Sequence, residues 1–115
     1  VNIKLTTGLI FSLLLGFSAH ASGGDSDGIS GDKVAGEARY NKTCINCHGP
    51  AGKGVASYPK VSGKEVSYTK EKLETYRAGT KIGPNSFLMI MNAKPLTDEE
   101  IANLAAYLKD AKYRK

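Results

Sequence analysis

The clearest hydrophobic pattern lies near the C-terminus, where Ile101, Leu104, Ala105 and Leu108 recur at helical spacing and predict an amphipathic helix with one buried face. Thr97-Asp98-Glu99-Glu100 begins it as a capping box, with Thr97 as N-cap and Glu100 reaching back to the cap. Acidic residues follow the cap, and Lys109 and Lys112 sit near the other end, so both charges suit the helix dipole. Residues 33–42 predict a weaker helix with Val34, Ala38 and Tyr40 turned inward; Gly36 lowers its propensity but suits the close approach of another helix. Residues 68–78 predict a third helix, with Leu73 and Tyr76 inward and Gly79 as its stop. Ile82 to Pro84 turn the chain into residues 85–92, a short helical or looped segment that Pro95 ends. Gly49, Pro50, Gly52 and Gly54 describe a loop. With no strand pattern, the expected fold class is all-α, built from three to five short helices.

Ahead of these elements the pattern changes twice. Lys4, the apolar run Leu5 to Phe17 and the small-x-small triplet Ala19-His20-Ala21 read as a signal peptide over 1–21, cleaved after Ala21. The run is interrupted by Thr6, Thr7, Gly8 and Ser12 and falls short of the ~20 residues a spanning helix needs, so stable membrane insertion is not expected. Residues 22–31 are almost all Gly, Ser and Asp, a flexible linker. One domain, 32–115, is left, and in a domain of this size an unaided core supplies only about 3–5 kcal/mol. A staple is expected.

The whole chain has 16 Lys and Arg against 11 Asp and Glu, a formal charge of +5. Removing the leader takes Lys4 with it and leaves a mildly basic protein. Export, and the absence of a basic stretch interleaved with aromatics, argue against a nucleic-acid partner.

The staple is written into Cys44-Ile45-Asn46-Cys47-His48, the C-x-x-C-H attachment signature of haem c. Two thiols separated by two residues in a helical turn match the spacing of the two haem vinyl groups. The adjacent histidine then falls under the iron as proximal ligand. A thioredoxin-like pair belongs in a βαβ pattern, and a disulfide needs no histidine at that position. A structural zinc site wants about four ligands, whereas only these three cysteine and histidine side chains follow the leader, His20 lying within it. A phosphate-binding loop would end in G-K-S/T, which the glycines after His48 do not. The same count excludes bis-histidine coordination within one chain. The sixth iron ligand is then expected to be Met89 or Met91, the other acting as core filler, with lysine or an open site as the remaining options.

Over about 31–109 the chain resembles the class I c-type cytochromes, specifically the small bacterial monohaem, diffusible kind. The resemblance rests on GDKVAGEARYNKTCINCHGPAGKG, YPKVSG, LETYRAG and LMIMNAKPLTDEEIANLAAYL, in the family's order. It implies an all-α class I cytochrome c-like fold wrapped around one covalently attached haem c. The first helix would cross the last, with Gly36 and Tyr40 meeting Leu104 and Tyr107. Pro59 would offer its carbonyl to the Nδ1 proton of His48, fixing the tautomer. Counting back from Leu96 selects Met89 as distal ligand, whereas short-loop relatives would select Met91. Lys81 stands where relatives often place an arginine. The implied function is a soluble, monomeric, periplasmic electron shuttle and not an enzyme. Its partners would be redox proteins such as a membrane cytochrome complex, a terminal oxidase or a periplasmic reductase, met through acidic docking patches. The alternatives are a haem-based sensor or gas-binding protein and a dedicated electron-entry subunit of a redox enzyme.

Overall fold

The structure is a computed structural model and describes residues 30–115. The signal peptide and most of the linker expected from sequence lie outside the described residues. Five α-helices follow in order: α1 Lys33–Thr43, α2 Ile45–His48, α3 Val66–Arg77, α4 Ser86–Ala93 and α5 Asp98–Asp110, with a 3₁₀ turn at Pro50–Gly52. Among the described residues the only strand-like pairing is an isolated bridge between Val55 and Tyr58. The fold class is therefore all-α, as the sequence pattern implied.

α5 is the organising element. Its capping box forms as expected: the Thr97 hydroxyl accepts from the Glu100 N–H at 3.1 Å, and the Glu100 carboxylate accepts from the Thr97 N–H at 3.0 Å. Ile101, Leu104 and Leu108 join Tyr40, Ala93 and Leu96 in one buried cluster, with Leu73 and Tyr76 of α3 packed against it. Full burial stabilises by roughly 1.5–3 kcal/mol per large aliphatic side chain, and Ile101 and Leu104 are essentially inaccessible.

α1 crosses α5 at Gly36. A Cβ there would collide with the Asn103 carbonyl, so only glycine lets the two backbones come so close. One turn later the Tyr40 and Tyr107 rings meet at 5.6 Å between centroids, tilted by 52°. Asp32 caps α1 by accepting from the Val34 and Ala35 N–H groups, and its own N–H donates to buried Asn103 at 2.7 Å. Gly31 already packs against α5 at Ala102.

The inward face of α1 differs from the expected one. Val34 is 78% exposed and Ala38 is also exposed. Each stands two residues from Gly36, roughly half a turn around the helix. The crossing is made by a missing side chain and a tyrosine, so the aliphatics are left to face water.

α3 starts two residues earlier than the pattern predicted and ends one earlier. Gly79, at φ 84°, turns the chain after it and donates to the Tyr76 carbonyl at 2.9 Å. Arg77 then ties α3 to the start of α5, donating to the Leu96 carbonyl at 3.1 Å and pairing with Asp98 at 2.7 Å.

Candidate functional site

α1 runs into α2 at Cys44, which keeps helical dihedrals, so the whole C-x-x-C-H segment is one continuous helical turn. The His48 N–H donates to the Cys44 carbonyl at 2.9 Å, closing that turn. Cys44 and Cys47 are both partly buried and their thiols are unbonded. Burial pushes the free Cys44 thiol above its ordinary range, the Thr43 hydroxyl and Arg39 offsetting this only in part.

His48 is buried, and its Nδ1 lies 2.8 Å from the Pro59 carbonyl oxygen. A carbonyl can only accept, so the Nδ1 carries a proton, and in the neutral ring Nε2 is then left with a free lone pair. The loop that leads to Pro59 is pinned where it leaves the motif. Gly54 donates to the His48 carbonyl at 2.7 Å, and the Tyr40 hydroxyl donates to the Gly49 carbonyl at 2.7 Å. Gly49 has φ 75°, a conformation that glycine adopts without strain.

These elements border an open cleft of about 330 Å³. Cys44 and His48 line it from the motif, Leu104 and Leu108 from α5, Leu73 and Tyr76 from α3, and Met89 from α4. Met91 is 67% exposed and is not among the lining residues. Cys47 also lies outside the lining set, and Lys81 is exposed away from it. Lys60, Lys64, Tyr68 and Lys72 do line the cleft, although no sequence motif singled them out. The available signal was the helical spacing of 68, 69, 72, 73 and 76, which places all five on one side of α3. Among the described residues no three His, Cys, Asp or Glu side chains gather where they could hold a bare metal ion.

Residues 34–112 match the family model for cytochrome c. The chain belongs to the cytochrome c family. A cytochrome c-554(548) from Halomonas halodenitrificans is 42% identical over 79 residues, a match covering 68% of this chain and 94% of that protein. A cytochrome c-554(547) from Halothiobacillus neapolitanus is 31% identical over 91 residues, covering 72% of this chain and all of the relative. Among solved structures, reduced recombinant cytochrome c4 from Pseudomonas stutzeri superposes with a TM-score of 0.63 at 25% identity, covering 70% of this chain. The match covers 48% of that cytochrome c4, so this chain spans about half its length.

As a class I c-type cytochrome the chain carries covalently bound haem c and transfers electrons through it. The residues present fit that group. Two unbonded thiols sit one turn apart on a helix, a buried imidazole has one nitrogen engaged and one free, and a cleft with an apolar side opens beside them.

Proposed function

We propose that this cytochrome is a soluble, monomeric electron shuttle of the periplasm in which haem is linked through Cys44 and Cys47 and ligated by His48 and Met89. The observation that carries this reading is the contrast between two methionines on one helix: Met89 lines the cleft that His48 borders, and Met91 faces solvent. When bound, haem c supplies an iron that gains and loses one electron.

The chain's own residues hold that site still. The Pro59 carbonyl orients the His48 ring and increases its basicity. Ser86, buried at the start of α4, accepts from the Ile82 and Gly83 N–H groups at 2.9 and 2.7 Å and pins the turn that leads to Met89. Arg77 holds the other end of that segment through the Leu96 carbonyl. A site anchored at both ends reorganises little between oxidation states, as a carrier requires, and converts no substrate.

Partners of acidic surface fit the charge distribution. Residues 38–64, with the haem motif and Pro59, and residues 75–97, with Met89, contain Lys and Arg but no Asp or Glu. An excess of positive charge speeds encounter with a carboxylate-bearing redox protein and makes association salt-dependent.

Ferric-state absorption spectra of the wild type, Met89→Ala and Met91→Ala test the ligand assignment through the weak far-red band of sulfur-ligated haem. The expected result is loss of the band in Met89→Ala alone. Loss in Met91→Ala alone, or no band in the wild type, overturns it. Ready binding of carbon monoxide by the ferrous wild type would turn the reading toward a gas sensor.

A further inference from the structure

The cleft is lined by both apolar and cationic side chains. Leu73, Leu104 and Leu108 share it with Lys60, Lys64 and Lys72, and no Asp or Glu is among its lining residues. Two of the lysines converge on one ring: the Lys64 and Lys72 ammonium groups stand 5.7 and 5.5 Å from the centre of the Tyr68 ring. That distance allows a cation–π attraction from both. Tyr68 and Lys72 are one helical turn apart on α3, and Lys64 directly precedes that helix.

None of the three lysines belongs to an ion pair among the described residues. The nearest acid in sequence, Glu65, is engaged by Lys109 at 3.4 Å. Three ammonium groups therefore border one cleft with no carboxylate among its described lining residues to offset them.

Haem c has the matching asymmetry. Its faces are apolar, its vinyl-derived edge is taken by the two cysteines, and its opposite edge carries two propionate carboxylates. Carboxylates are costly to place against apolar surface without a partner, and charge-assisted hydrogen bonds from ammonium groups supply one. We infer that Lys64 and Lys72, gathered by the Tyr68 ring and joined by Lys60, are the propionate-binding end of the cleft. They receive the edge opposite the two thioether links. These lysines answer the cofactor's own charge, so attraction of an acidic partner falls to lysines outside the cleft, such as Lys81 and Lys94. The inference rests on the family's haem and is independent of which methionine binds iron.

The test uses holoprotein carrying ¹³C-labelled propionates, in the wild type, Lys64→Gln/Lys72→Gln, Lys64→Arg/Lys72→Arg and the control Lys94→Gln/Lys112→Gln. Carboxylate resonances are read in the diamagnetic ferrous state, and reduction potentials are measured alongside. The expected result is a shift of the propionate resonances in the cleft glutamine pair, restored toward wild type in the arginine pair and absent in the control. The potential should fall further in the cleft pair than in the equally charged control, because nearby positive charge favours the electron-rich state. Propionate resonances that stay unmoved in the cleft pair, or move as far in the control, overturn the inference. Single Lys64→Gln and Lys72→Gln variants should each show a smaller shift of the same signals, a readout that survives if the double variant assembles poorly. Loss of the far-red band across the whole set would instead count against methionine ligation.

Discussion

α4 and α5 are neighbours in sequence and opposites in their use of apolar residues. α4 carries Phe87, Leu88, Met89, Ile90 and Met91 in succession, yet its buried residues are Ser86 and Ala93, and Phe87, Leu88 and Met91 are exposed. α5 is more polar in composition, yet it buries six residues, Asn103 among them. Burial is decided by what stands opposite. α5 has α1 on one side and α3 on another, so its apolar face and even its asparagine are covered. α4 is held by its ends, with Ser86 at the start and Ala93 and Leu96 at the finish, and its middle serves the cleft. One helix is built for stability and the other for delivering a side chain.

That division predicts a steep gradient in mutational cost. Leu104→Ala and Gly36→Ala should be the most damaging in denaturant unfolding of the holoprotein, the former destabilising by about 3–5 kcal/mol and the latter by about 3 kcal/mol. The first opens a cavity in the core, and the second drives a methyl group into the Asn103 carbonyl. If Gly36→Ala proves neutral, the close crossing of α1 and α5 is not what orders the fold.

Tyr40→Phe should cost less, about 1 kcal/mol, through the lost hydrogen bond to the Gly49 carbonyl, which keeps the Gly52 N–H as a donor. It also sharpens the comparison through pH. Burial pushes the Tyr40 phenol up from the ordinary 10.0 to about 12, with the facing Tyr107 adding to the rise. A group raised in the folded state contributes stability that is complete below pH 10 and is lost as pH climbs toward 12. Stability measured across that interval should fall in the wild type and fall less in Tyr40→Phe.

Thr97→Ala removes one half of the capping box and should lower stability by about 1 kcal/mol. The smallest effects belong to α4: Phe87→Ser and Met91→Gln should stay within about 0.5 kcal/mol of wild type in unfolding experiments. A loss on the scale of Leu104→Ala at either α4 position would mean that this surface is covered in the working protein.

The legible parts of this chain share a property, which is that their information is local. The capping box, the 101/104/105/108 face and the C-x-x-C-H turn each lie within a few helical turns, and each appears in the structure with the expected conformation. α1 was harder to read. Its apolar residues, Val34 and Ala38, suggested the wrong inner face, because the packing surface is defined by the absence of a side chain at Gly36. The cleft lysines were invisible for a related reason. On a helix such as α3, Lys72 reads as an ordinary solvated residue until Leu104, Leu108 and Met89 are brought opposite.

The haem-attachment signature is readable from sequence alone, since two thiols and an imidazole in five consecutive residues need only a helical turn to be spaced for haem c. So is the last helix, whose start and inner face are encoded in adjacent residues. Tertiary structure alone decided which methionine of α4 lines the cleft, which face of α1 is covered and which lysines border the cofactor's space. Met89 and Met91 differ by two positions, about 200° around a helix, and choosing between them requires knowing what α4 packs against. That is set by contacts between segments far apart in the chain, which no local pattern records.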